Sequence, residues 1–486
     1  MGTTSANEQP IPGTNGQPSH ARYLVVGLIA SGAVSLYITR HVLAVTNEEI
    51  QQELSIGSTE MGAVMSLFSL GYLLFQVPGG WLGNKLGTRS GLAILSIIWS
   101  LLTLATAFVH GLFPLQLVRF LFGAAQAGFV PITSKIIKDW FPEKNLGITS
   151  AFVGVSMSIG GALAMDVTGR LTDQFDWRII FQMYSLVGIF WSLVFITLFR
   201  SKPRNHAWAN QSECDLIRNG NTAVKVSTQR SQAFFTARNL RIACCSVTLW
   251  AICLQSFCRA AGYNFFVTFF PEYLSRKFDG VDASDAGLYA KWPLIGVVIG
   301  GLVGGLLVDW IYVKTKSKWW SRAAVAMGAL VITALFTFLS FQAQSVAWFV
   351  ALIAIGAAFS GAGSPAAWAT TIDVGGKHTA TVAGISNMAG CMSGVLITPF
   401  LGGMMDILKG LKTEATVFSF DFSILGWTNF HPQLTLTDKT ITDWSQVIYM
   451  HAAFYLVGAL CWIVIRPEKT LLPDDTPVTV DNHPAA

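Results

Sequence analysis

Charge is what this sequence has least of. Asp, Glu, Lys and Arg together supply 12% of its 486 residues, where a soluble domain carries about 25%. A chain this long with so little charge is not an ordinary water-soluble globule. The seven Cys give no disulfide framework: all but Cys214 fall in apolar segments, where Cys behaves as a small hydrophobe. There is no His/Glu metal spacing, nucleophile elbow or phosphate loop, so no enzyme, metal or cofactor is expected. Residues 1–21 lack the charged start and apolar core of a cleaved signal and read as a disordered cytoplasmic tail. The net charge of +5 does not indicate a nucleic-acid partner, because the basic residues lie in loops between apolar runs.

Apolar runs are abundant. Hydrophobic residues make up 52% of the chain, and its 16 Trp and 33 Phe suit interfacial belts and lipid-facing helices. Windows of about 20 apolar residues mark a membrane helix. Twelve occur, near 22–46, 59–82, 89–109, 112–137, 146–169, 178–199, 241–271, 285–310, 322–342, 345–368, 378–405 and 447–466. They predict an all-α membrane protein with twelve transmembrane helices in two six-helix bundles, residues 22–199 and 241–466. A polar linker, 200–240, joins the bundles, an extracytoplasmic loop spans 406–446, and a cytoplasmic tail covers 467–486. Of the 32 Lys and Arg, twenty-one fall on the side of the termini and linker, seven on the opposite side and four inside spans. Such a bias places both termini in the cytoplasm.

The halves echo one another. The second span ends in Pro78-Gly79-Gly80-Trp81-Leu82-Gly83-Asn84-Lys85, and the eighth in Gly304-Gly305-Leu306-Leu307-Val308-Asp309-Trp310 before a basic loop. A small-residue helix end, a polar cap and basic residues recur at the second helix of each half. Such repetition is typical of transporters built from pseudo-symmetric repeats, with a site at the midplane between them.

The four intramembrane cations are Arg40, Arg119, Arg259 and Lys291. A guanidinium at bilayer depth costs at least about 2.5–3.5 kcal/mol on insertion scales, so something compensates for it. No carboxylate lies near Arg40 or Arg119 in sequence, which leaves a visiting anion as compensator. At 1.5 Å per residue, Arg40, Arg119 and Lys291 lie about 10 Å inside the outer surface and Arg259 about 20 Å. The competing readings are snorkelling for Arg40, Arg119 and Lys291, and backbone or distant acidic partners for Arg259. Tyr37 precedes Arg40 by one turn, Tyr72 and Gln76 share a face, and Gln126 lies nearly two turns after Arg119. Trp368 and Asn387 stand out in late spans that hold few other polar groups. Together these residues would furnish donors beside an arginine that holds a carboxylate; singly, each also fits ordinary interhelical hydrogen bonding.

On these residues the chain resembles a major facilitator superfamily transporter, and most nearly the anion:cation symporters. That group includes bacterial uptake systems for sugar acids (galactonate, glucarate, hexuronate) and animal organic-anion carriers. The resemblance covers residues 22–466 and is carried by Tyr37-Ile38-Thr39-Arg40, Gln76-Val77-Pro78-Gly79-Gly80-Trp81, Arg119-Phe120 through Gln126 to Pro131, and Trp140-Phe141-Pro142. It implies that Arg40 and Arg119 bind the substrate carboxylate, with Tyr37, Tyr72, Trp368 and Asn387 around the rest. Phe257-Cys258-Arg259 is similar to a seventh-span segment of the animal members, which makes Arg259 a third contact.

The departures concern coupling. Sugar-acid symporters of this group carry an aspartate just before the first-span arginine and a glutamate in the fourth span; here Thr39 and Gln126 stand there. Asn84 replaces a usual aspartate after the second span. Asp166 is the remaining candidate for a coupling carboxylate, although it also fits a partner for Arg170 or a solvated position. The expected function is secondary active transport of a small organic anion (hexuronate, aldonate or aldarate) across the inner (plasma) membrane by alternating access. The protein is expected to be a monomer in the lipid bilayer. A co-transported cation, proton or sodium, is left open, as are anion exchange, sodium coupling and a transporter-like sensor of the same anion.

Overall fold

The computed structural model describes residues 17–56, 58–172, 174–219, 237–268, 270–278, 281, 283–408, 414–419, 433–437 and 443–472. Most of tail 1–21, the middle of linker 200–240, most of loop 406–446 and the chain beyond 472 lie outside the described residues. The first half contains α1 (Ala21–Val45), α2 (Asn47–Leu54), α3 (Ser58–Lys85), α4 (Thr88–Thr106), α5 (Leu112–Gln126), α6 (Phe129–Trp140), α7 (Leu146–Thr172) and α8 (Trp177–Leu198). The linker forms α9 (Gln211–Asn219) and α10 (Ala237–Cys244). The second half contains α11 (Val247–Thr268), α12 (Phe270–Lys277), α13 (Ala283–Thr315), α14 (Val325–Ser340), α15 (Val346–Gly375), α16 (Thr379–Leu408) and α17 (Ser445–Cys461).

By length and apolarity alone, eight described helical stretches qualify to cross a membrane, one of which, 346–397, holds both α15 and α16. With α3, α11 and α17 they occupy all twelve expected positions, the fourth span being α5 continued by α6. Large apolar side chains such as Phe113, Phe190 and Trp348 lie exposed on the outer face, as a lipid solvent permits. In water such a surface would be an aggregation hazard.

The repeat is written in the packing. In the first half α1 lies on α7, α3 on α5 and α4 on α8; in the second, α11 lies on α16, α13 on α15 and α14 on α17. Each half thus packs its first span on its fifth, its second on its fourth and its third on its sixth. Small residues let the second–fourth pairs approach backbone to backbone. A Cβ on Gly71 would strike the Phe120 carbonyl, one on Gly123 the Phe68 carbonyl, and one on Gly300 the Ala358 carbonyl. Glycine is needed there because in lipid close packing replaces the hydrophobic effect as the force joining helices.

The described chain ends, near Ser19 and Leu471, and the linker helix α9 gather at one end of the bundle, here termed the terminal side. Glu213 of α9 accepts from the backbone N–H of Ala21 (3.3 Å) and Arg22 (3.1 Å), and Leu471 N donates to Val374 O (2.8 Å). On this side the halves are locked together. Asp309 of α13 accepts from the N–H groups of Gly147 and Ile148, both 2.9 Å, at the start of α7, where a helix N-terminus favours negative charge. Glu143 accepts from Tyr312 (2.6 Å) and Lys318 (3.0 Å). Lys318 also meets Asp373 (2.9 Å), and the wholly buried Arg322 reaches Asp373 (3.2 Å) and the Glu143 carbonyl (3.0 Å). Burial opposes charge on Lys318, but the Asp373 and Glu143 carboxylates outweigh it and hold its ammonium above the ordinary lysine range. At the facing α3–α16 contact, Asn84 Nδ2 donates to Thr381 Oγ1 (2.8 Å).

Asp309→Ala leaves the buried Gly147 N–H and the part-buried Ile148 N–H without their acceptor, which costs about 1–3 kcal/mol for the buried group in the closed arrangement. Spin labels on Lys85 and Lys377 are therefore expected to report a longer-distance population in this variant. An unchanged distribution would show that Asp309 does not hold the halves together.

Loop 406–446 adds a short ribbon outside the membrane spans. Strands β1 (Glu414–Ser419) and β2 (Gln433–Thr437) pair antiparallel, with an irregularity between Thr416 and Phe418, and lie beside α16. Thr, Val, Phe and Leu in these short segments favour a pleated ribbon. The membrane-spanning body remains wholly helical.

Candidate functional site

Between the halves lies a cavity of about 1160 Å³, walled by α1, α3 and α6 from the first half and α11, α15 and α16 from the second. The inter-half bonds of the lock close it on the terminal side. Its wall residues run from there toward the opposite end, from Ser134 to Arg40 and from Ala383 to Val395, so it opens to the distal side.

Arg40 stands in this wall, held by three aromatic rings. Its Cζ lies 4.7 Å from the Tyr37 ring centroid, 4.5 Å from Tyr72 and 5.2 Å from Phe68. A desolvated cation–π contact is worth about 2 kcal/mol. Tyr37 is supplied by the preceding turn of α1, and Phe68 and Tyr72 by the closely packed α3. Arg40 Nε donates to Gln126 Oε1 at 3.1 Å. That amide is itself fixed, since Gln126 Nε2 donates to the Leu36 carbonyl (3.1 Å) and Thr39 Oγ1 (3.2 Å). Arg40 Nη2 is buried without a partner.

The facing wall is polar and incompletely satisfied. Gln255 Nε2 donates to Ser256 Oγ (2.9 Å), and Ser256 and Ser386 share a hydrogen bond of 2.8 Å across α11 and α16. Arg259 Nε, Gln255 Oε1 and Asn387 Nδ2 are buried with no partner, and all three residues line the cavity with Trp368 and Thr371. Buried donors are normally satisfied, so such orphans in a cavity are places for ligand oxygens. Among the described residues no carboxylate lines the cavity, and no ion pair involves Arg40, Arg119 or Arg259.

Of the residues singled out from sequence, Tyr37, Arg40, Tyr72, Arg259, Trp368 and Asn387 meet in this one wall. Three do not. Arg119 is 4% exposed and sits behind Phe68, its Cζ 5.1 Å from that ring and 4.9 Å from Phe122. Depth along α5 was legible, but its rotation turns Arg119 into the α3–α5 contact and away from the cavity. Gln126 is fully buried behind Arg40 and orients that residue. Asp166 is exposed and paired with Arg170 at 2.9 Å, apart from the cavity. Lys291 is exposed beside Trp292, as snorkelling requires. Sequence reasoning missed Ser256, Ser386 and Thr371, because serine and threonine are frequent in membrane helices and carry no distinguishing hydropathy, and it missed Gln255, whose amide in an apolar span was a signal.

The sequence matches the Major Facilitator Superfamily model over residues 29–399. The chain belongs to that superfamily. It is a multi-pass membrane transporter and not an enzyme, as are the superfamily relatives it matches. It is 25% identical over 388 residues to a probable sulfoacetate transporter of Cupriavidus necator, covering 79% of this chain and 87% of that protein. It is 30% identical over 302 residues to a D-galactonate transporter of Escherichia coli, covering 62% and 70% of the two chains. Among solved structures it superposes on the proton:xylose symporter XylE with a TM-score of 0.66 at 15% identity, covering 93% and 98%. That likeness is one of fold. In this facilitator the wall helices α1, α6, α11 and α15 come from the first and fourth spans of each half, so repeat-related elements enclose one site.

Proposed function

We propose that this facilitator carries a small organic anion, of the sugar-acid or sulfo-acid class, across the plasma membrane by alternating access, with both termini in the cytoplasm. The observation that supports the reading most directly is Arg40: a guanidinium in the cavity wall, aimed by Gln126, with a buried unpartnered Nη2 and no acid paired to it. An anionic headgroup satisfies that nitrogen and the charge together. Arg259, Asn387 and Gln255 in the facing wall supply a second cation, a donor and an acceptor for the hydroxyls or second headgroup of such a cargo. The names of the sulfoacetate and galactonate relatives agree with this chemistry. The predominance of basic residues on the terminal side supports the orientation, and a cavity enclosed by one chain supports action as a monomer.

Thermal shift of the purified protein against sulfoacetate, D-galactonate, D-glucarate and a hexuronate, with neutral xylose as control, tests the reading. At least one acid is expected to raise the melting temperature saturably, and Arg40→Ala to abolish that shift. A response to the neutral sugar alone would overturn it.

A further inference from the structure

Two guanidinium groups lie in the wall and a third just behind it, and none is ion-paired among the described residues. Arg40 and Arg259 are in the wall, and Arg119 stands just behind Phe68, whose ring lies 5.2 Å from the Arg40 Cζ and 5.1 Å from that of Arg119. Arg40 Nη2, Arg119 Nε and Arg259 Nε are all buried without partners. The described acids nearest in function are occupied elsewhere. Glu143, Asp309 and Asp373 are bound into the terminal-side lock, and Asp166 is paired with Arg170 outside the cavity. At the position beside Arg40 where an acid would neutralise it, Gln126 presents an amide pinned by Leu36 and Thr39.

From this charge balance we infer that the carrier works by obligate anion exchange. The inference rests on the anion-carrier reading above. While the cavity is open, water solvates Arg40 and Arg259. To pass to the opposite-facing state the halves must close around the site and expel that water. With an anion bound, the guanidinium groups are compensated and closure is permitted. Empty, the closing site would enclose cations that have ring and amide contacts but no anion in a low-dielectric interior, and no described acid is placed to take up a proton in the cargo's stead. The empty carrier therefore does not return, and each anion moved inward requires one moved outward. No proton or sodium ion enters the cycle.

The full-length protein in proteoliposomes tests this with labelled D-galactonate, D-glucarate and sulfoacetate as external probes. Vesicles are loaded either with the same unlabelled acid or with neutral xylose. Entry into acid-loaded vesicles is expected to be about 50-fold faster or more, given what an uncompensated guanidinium costs at bilayer depth, and indifferent to imposed proton or sodium gradients. Equal entry into xylose-loaded vesicles, or acceleration by an inward proton or sodium gradient, would overturn exchange. Thermal shift separates the two levels: no response to any acid brings down the anion reading itself, whereas binding with cargo-independent entry brings down exchange alone. Binding without entry under any loading also overturns it. Gln126→Glu supplies the missing acid within reach of Arg40 Nε. This variant is expected to gain entry into xylose-loaded vesicles that grows with an inward proton gradient. If it folds, binds and still requires internal anion, buried charge is not what ties return to cargo, and the inference fails.

Discussion

Uptake of a labelled sugar acid by Arg40→Ala is expected to fall by about a hundredfold or more, with the protein still folded and inserted. Truncating one partner of a desolvated charge pair costs about 2–5 kcal/mol, and each 1.36 kcal/mol is tenfold. Arg40 is the wall cation whose environment is most completely built. Tyr37, Tyr72 and Phe68 hold the guanidinium on three sides, and Gln126 engages Nε, which leaves the Nη edge for cargo. Arg40→Lys keeps the charge but loses both the Gln126 bond and the planar fork, so an intermediate loss of about tenfold, mainly in affinity, is expected. Size-exclusion profile and melting temperature separate a lost contact from a lost fold. Uptake by the alanine variant within twofold of the unmodified protein would remove Arg40 from the site.

The same residues show what a sequence can reveal. Arg40 was legible because a charge in an apolar span is rare and costly, and Tyr37 because a three-residue interval on a helix is a contact. The twelve spans were legible from hydropathy alone, since the bilayer fixes their length. Arg119 and Gln126 were expected at the substrate, whereas both lie behind the cavity wall. Depth follows from counting residues, whereas facing direction depends on how α3 and α5 press together at Gly71 and Gly123. The lock was invisible because Glu143 meets Lys318 across 175 positions of sequence, and nothing local to either residue announces the other. The strands in loop 406–446 did carry a signal: Glu414–Ser419 and Gln433–Thr437 are short runs rich in Thr, Val, Phe and Leu.

Lock and site also explain each other. On the terminal side Asp309 caps α7, and Glu143 and Asp373 gather Lys318 and Arg322. Closing that side is thus served by paired charges, while the cavity keeps unpaired ones. Under the exchange proposed above, cargo binding and reorientation are linked because each completes a charge balance that the other leaves open. An anion supplies in the cavity what carboxylates supply in the lock.

Arg119→Met is expected to raise the melting temperature and lower transport at once. The guanidinium is 4% exposed, has no ion pair, leaves Nε without an acceptor and lies between Phe68 and Phe122. Replacing even a buried ion pair by apolar side chains of similar volume is often neutral or stabilising by about 1–4 kcal/mol. Here no partner is orphaned by the exchange, and methionine fills irregular space between aromatic rings well. Transport should move the other way. Because the Arg40 and Arg119 guanidinium carbons lie 5.2 and 5.1 Å from one ring centroid, they are within about 10 Å of each other. At an effective dielectric of about 20, a unit charge at that range is worth about 1.7 kcal/mol to a bound anion, or roughly tenfold in affinity. Arg119 therefore acts on the cargo through its field without touching it, and its removal should raise KM about tenfold. A variant that is stabilised yet transports normally would reduce Arg119 to a structural residue. One that is destabilised would mean that the charge has a partner, and the electrostatic account of the site would fall with it.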